Sequence, residues 1–235
     1  LVLSVVSIAA AKLLKPGRGR FVRRPDNWRR YVIINQLRHA FTILRHPIDG
    51  FGDLRFLNMG GYSSAILLLV LAMLAMLGSV YFTGFAFDPV PAHARNGVSI
   101  ALIGTGVWFS WVICNYLVGS IRHGEARYKD VFVGGAYALF PFVLFAVPLA
   151  LVSNVMTLSE APIYHFLNSA VYLWCALLFF WEIQALQNYT VWEAAVNVFL
   201  TAFAMLMLWV LVFIVAGLFS EFIDFVQTIY QEVSM

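Results

Sequence analysis

The chain has 235 residues, of which 62% are hydrophobic and only 11% charged, with a mean hydropathy of +0.83. A soluble globular domain carries about 25% charged residues, so composition excludes that class. The net charge of +3 and the pI near 9.0 would suit a polyanion, but eleven of the fifteen Lys and Arg fall within the first 55 residues, beside long apolar runs. That placement points to anionic lipid headgroups and membrane topology, and away from nucleic acid.

Residues 1–25 open with eleven residues of apolar character before Lys12, too few for a span of about 20. No basic segment precedes them, as it would in a signal peptide. The chain starts at Leu1 and not at Met, so a processed product or a fragment is expected. This stretch reads as the cytoplasmic end of a truncated span, followed by a basic connector, KPGRGRFVRRP.

Residues 26–61 form the next unit, a cytoplasmic interfacial helix and turn. Asp26 is placed to cap a helix. Ile34, Leu37, Phe41, Leu44 and Ile48 then recur at intervals of 3 and 4, one apolar stripe. Trp28, Arg29, Arg30, Arg38 and Arg45 surround it, a pattern that suits a helix lying in the membrane interface. Packing of the same stripe onto protein is the alternative. His46-Pro47 should end the helix, and DGFGD (49–53) reads as turns.

Residues 62–219 contain five apolar runs, at about 62–87, 98–121, 131–152, 163–186 and 195–219, each long enough to cross a bilayer. In hydrocarbon every backbone amide needs an internal partner, so each span should be helical. The fold class is therefore all-α: a five-span helical bundle with an amphipathic helix at either end. With the N-terminal segment in the cytoplasm, 14 Lys and Arg lie inside and only Arg95 outside, and the C-terminus emerges on the external face. Residues 220–235 continue as an external amphipathic helix. Phe222, Val226, Ile229 and Tyr230 share one side of it, with Glu221, Asp224 and Glu232 on the other. This face should dock onto protein or rest on a neutral outer leaflet.

Few residues suggest chemistry. Glu182 is the one carboxylate within a span, which makes it a default functional candidate. The bland reading is a carboxylate that reaches the interface or bonds to a neighbouring helix. Asn115, Asn168 and Asn197 suit interhelical hydrogen bonds. In the third span Gly134, Tyr137, Pro141 and Pro148 are spaced by 3, 4 and 7 along one stripe. Gly134 and Gly135 allow close helix approach, the prolines bend the helix, and the Tyr137 hydroxyl is placed to meet a carbonyl they free. Cys114 and Cys175 read as buried apolar residues. His39, His46, Asp49 and Asp53, and separately His123, Glu125 and Asp130, match no metal-site spacing. They suit hydrogen bonding and headgroup contact. Catalytic motifs are missing, and no cofactor or metal is expected. The sequon at Asn188-Tyr189-Thr190 falls on the cytoplasmic side and is discounted.

Three segments carry a family resemblance: ILRHPIDGFGDLR (43–55), GEARYKDVFVGGAYALFPFVL (124–144) and EIQALQNYTVWEAAVNV (182–198). The first has Pro47 and Asp53 in a short lead-in to the first span. The second carries Gly135, Tyr137, Leu139 and Pro141 in a G-Y-x-L-x-P-type pattern. Over about residues 38–219 the chain resembles the Yip family, integral membrane proteins first known as interactors of Ypt/Rab GTPases. The family topology, five spans with the C-terminus outside, is the one the charges give. Arg55, Phe56 and Leu57 follow Asp53-Leu54 where eukaryotic members have D-L-x-G-P, and the connector is basic where many trafficking members are acidic. The resemblance therefore points to a bacterial member in the plasma membrane, and puts Rab binding in doubt. The basic in-plane helix, the acidic C-terminal helix and the missing catalytic set point to a non-enzymatic scaffold or accessory subunit of a larger membrane complex, and the resemblance implies as its partners other membrane-protein subunits, such as the permeases of a carbohydrate ABC importer. The alternatives are a transporter or channel in its own right, or a trafficking or membrane-shaping factor.

Overall fold

A computed structural model describes residues 28–57, 59–88 and 95–233. The terminal segment 1–27, with its connector and truncated span, lies outside the described residues. Helices are α1 (Trp28–Arg45), α2 (Pro47–Phe56), α3 (Tyr62–Phe82), α4 (Gly97–Ile121), α5 (Tyr128–Ala138), α6 (Phe140–Ser153), α7 (Ala161–Gln187) and α8 (Val191–Val233). A single 3₁₀ turn, Leu158–Glu160, leads into α7. No strand occurs among the described residues. Five segments are long and apolar enough to cross a membrane: α3, α4, α5 with α6, α7 with its 3₁₀ turn, and α8 as far as Phe225.

Local chemistry sets the helix ends. Asn96 caps α4 by accepting from the Val98 and Ser99 amides at 3.1 and 3.2 Å. Thr190 and Glu193 form a reciprocal capping box at the start of α8. Past α4, His123 takes a left-handed φ of 59° and Gly124 N–H reaches back to the Gly119 carbonyl at 2.8 Å. Asn188, φ 58°, closes α7 in the same way, with Tyr189 N–H on the Gln184 carbonyl at 3.1 Å.

The third span is the centre of the bundle. Val131–Ala138 are eight successive buried residues, with α3 packed on one side and α7 on another. The span is broken at Leu139. Pro141 falls in the first turn of α6, where its missing N–H is tolerated. The Tyr137 carbonyl it would have met is taken by Leu139 N–H. That carbonyl is therefore filled locally, and the Tyr137 hydroxyl goes elsewhere. The expected single stripe also divides: Tyr137 and Pro141 are buried, whereas Pro148, beyond the break, is exposed.

One further expectation is corrected. DGFGD is helical, not a run of turns. Pro47 starts α2, and Gly50 lets it lie hard against Ile43 of α1, where an added Cβ would be 2.9 Å from Ile43 Cα. Past the last span the chain continues as part of α8, which runs unbroken for 43 residues to Val233. No glycine cap or proline interrupts it, so nothing ends the helix where the hydrocarbon would.

The apolar stripe of α1 faces protein. Ala40 and Ile43 are fully buried, Leu37, Phe41 and Leu44 pack on the core, and Phe41 meets Phe140 edge-on at 4.8 Å. Ile48 is left half-exposed, and Arg38 and Arg45 point outward. The side chains of Trp28, Arg29 and Arg30 lie outside the described ones.

Candidate functional site

The three segments quoted above are far apart in sequence and meet at one end of the bundle. Arg55, at the end of α2, donates through Nη1 to the Leu186 carbonyl on α7 at 2.8 Å, and through Nη2 to Glu125 at 2.8 Å. It thereby satisfies a carbonyl in the last turn of α7 that has no intrahelical partner. Gln187 is buried, and its Oε1 accepts from Ala126 N–H at 3.1 Å. Tyr189 donates toward the Gly119 and Arg122 carbonyls, at 3.4 and 3.3 Å, and the Arg122 guanidinium lies 5.3 Å from its ring centre. Pro47 only starts α2, and Asp53 is half-buried on it, its carbonyl receiving Leu57 N–H at 3.0 Å. Glu125 is exposed, and Arg55 beside it holds its carboxyl below the ordinary range.

Glu182 sits one turn deeper on α7 and is fully buried. Neither carboxylate oxygen has a hydrogen-bond partner among the described residues. Both bland readings are therefore corrected: the side chain neither reaches the interface nor bonds to a neighbour. Gly134 is the reason it fits. A Cβ there would come within 2.9 Å of Glu182 Cγ and 2.7 Å of Leu186 Cδ1. Gly135 faces Val112 and Trp108 more loosely, the nearest atom being 3.5 Å from an added Cβ. Tyr137 points the other way and ties α5 to both α1 and α3. Its hydroxyl bonds to the Gln36 carbonyl at 3.1 Å and to Ser64 at 3.0 Å.

The in-span amides divide. Asn197 Nδ2 donates to Asn115 Oδ1 at 3.2 Å, joining α8 to α4, and Trp209 donates to Ser110 at 3.3 Å farther along the same pair. Asn168 is half-buried on α7 and takes no part in that contact. Cys114 and Cys175 are buried free thiols. The two loose His/Asp/Glu groups dissolve into structural bonds: His39 binds the Gly50 carbonyl at 2.8 Å, and Asp130 caps α5 through Arg127 N–H at 3.1 Å.

Two cavities stand out. A groove of about 850 Å³ runs between the spans, lined almost wholly by apolar side chains such as Met73, Met76, Trp108, Trp111 and Phe179. A smaller polar cavity of about 300 Å³ lies beside Arg55. On α8, Phe222, Ile229 and Tyr230 are exposed, while the side chain of Val226 lies outside the described ones.

The fold is that of a polytopic, all-helical integral membrane protein whose central span is clamped at one end by three distant segments. The family model of the Yip1 domain matches residues 41–220, and the chain belongs to that family. No curated protein and no solved structure is significantly similar to it. Arg55 is the functional-site residue that sequence reasoning missed. It stood out only as a departure from the family's Gly-Pro motif, and its partners lie 70 and 131 residues away.

Proposed function

We propose that this chain is a non-enzymatic scaffold or accessory subunit of a larger membrane complex, with α8 as its docking element. The observation that carries the reading is the reach of α8. Its 43 residues span about 65 Å at 1.5 Å each. A bilayer takes up about 40–45 Å, headgroups included, so roughly 20 Å of helix stands clear of it. Beyond Phe225, where the apolar segment ends, Ile229 is 44% exposed and Tyr230 75%. Lipid does not cover large apolar side chains there, and a partner protein would. The charge count supports the orientation: 14 basic residues at the cytoplasmic end, one outside, and the α8 extension on the external face. The family resemblance favours a bacterial plasma membrane and, among partners, the permeases of a carbohydrate importer.

The test places a photo-crosslinking residue at Ile229 or Tyr230 in native membranes, followed by purification in mild detergent. The expected product is one stoichiometric adduct with a different integral membrane protein. Recovery of the chain alone, or crosslinked only to lipid or to a second copy, would overturn the proposal.

A second reading, transport, has one observation in its favour, the buried and unbonded Glu182. The groove between the spans is apolar, is not lined by Glu182, and suits lipid better than a solute path. Flux into liposomes abolished by Glu182→Gln would support transport.

A further inference from the structure

We infer that the polar cavity beside Arg55 binds the phosphate of an anionic membrane lipid. Its lining is Arg55, Phe56, Glu125, Arg127, Lys129 and Asp130, around a volume of about 300 Å³. That is the lower end of the range for small-ligand sites. Three cations face two carboxylates, and the bonding within the cavity decides which charges remain. Glu125 is taken by Arg55, whose other arm holds the Leu186 carbonyl. Asp130 accepts from the amide of Arg127 and keeps its charge, so the cavity carries a net charge of +1. The side chains of Arg127 and Lys129 make no hydrogen bond or ion pair among the described residues, so two uncommitted cations flank the first residue of α5. Asp130 in the first turn of α5 already answers the positive end of that helix dipole, so the attraction rests on these two side chains.

The apolar surroundings select a lipid over a soluble phosphate. Phe56 lines the cavity and is 68% exposed, and Leu57 beside it is 60% exposed. A phosphate on Arg127 and Lys129 would leave acyl chains against these two residues, at the level where the spans enter hydrocarbon. This site needs only the membrane reading. It lies at the end of the bundle opposite the α8 extension, so it stands whether or not a partner docks there.

The test uses the full chain, delipidated in detergent and followed by native mass spectrometry during titration with phosphatidylglycerol or phosphatidylcholine. Each cation near an anionic lipid is worth about fivefold in affinity. The double variant Arg127→Gln/Lys129→Gln should therefore bind phosphatidylglycerol about 20-fold more weakly, with phosphatidylcholine unchanged. Arg38→Gln/Arg45→Gln, on the exposed side of α1, should retain the tight site. Thermal unfolding checks the fold of each variant. If the double variant does not fold, Lys129→Glu alone serves, because that side chain holds no structural bond, and it too should weaken the lipid. Equal phosphatidylglycerol affinity in wild type and variant would overturn the site. So would displacement of the lipid by millimolar inorganic phosphate, which would mark a soluble-phosphate site.

Discussion

Gly134 and Gly135 are neighbours, both buried, and their surroundings differ enough to separate them by experiment. Gly134→Ala forces Leu186 and Glu182 to move, since the new Cβ would meet them at 2.7 and 2.9 Å. Overpacking of this kind costs about 1–3 kcal/mol. Gly135→Ala meets nothing nearer than 3.5 Å and should be close to neutral. Unfolding in mixed micelles measures both, and equal losses would refute the idea that Gly134 is the contact point. Arg55 makes a second separable case. It lowers the Glu125 carboxyl from its ordinary value, first through their hydrogen bond. A carboxyl lowered in the folded state contributes stability at pH above its unfolded value and loses it as pH falls through the folded one. The melting difference between wild type and Glu125→Gln should be small but present at pH 7, because the pair is exposed, and should vanish once acid protonates Glu125 in the folded chain. A difference that persists in acid would assign the effect to geometry and not to charge.

At the scale of elements, α2 shows how a close approach overrides composition. A stretch of Pro, Asp and two Gly reads as turns because each residue favours them locally. It folds as a helix because Phe51 and Leu54 gain a buried face and Gly50 removes the Cβ that would hold α1 off. No local pattern carries that contact, so it was not legible. Gly50→Ala should separate the two helices, since the obstacle at 2.9 Å is Ile43 backbone and not a flexible side chain. The expected loss is about 1–3 kcal/mol, with faster hydrogen exchange across residues 28–45 than in wild type. Unchanged exchange there would show that α1 is held by Phe41 and Tyr137 alone. The break at Leu139 was legible only in part. The prolines announced a bend, but where Tyr137 would spend its hydroxyl depended on Leu139 N–H filling the carbonyl first.

Across the whole molecule, five spans were readable because hydrocarbon allows a lone segment only one backbone solution, and length and apolar content suffice to recognise it. The junction of Arg55, Glu125 and Leu186 was not, because separations of 70 and 131 residues leave no periodic trace. Orientation is the property that joins the two scales. The basic loop at the junction and the acidic extension of α8 must lie on opposite faces, since three spans separate Lys129 from Gln227. Both native thiols are buried, so Cys114→Ala/Cys175→Ala is a quiet background for single-cysteine labelling. A membrane-impermeant maleimide added to intact cells should label Gln227→Cys at once and Lys129→Cys only after permeabilisation. The reverse pattern would invert the topology and place the α8 extension in the cytoplasm. Labelling of both from one side would remove a crossing and, with it, the reading of α5 and α6 as a single bent span.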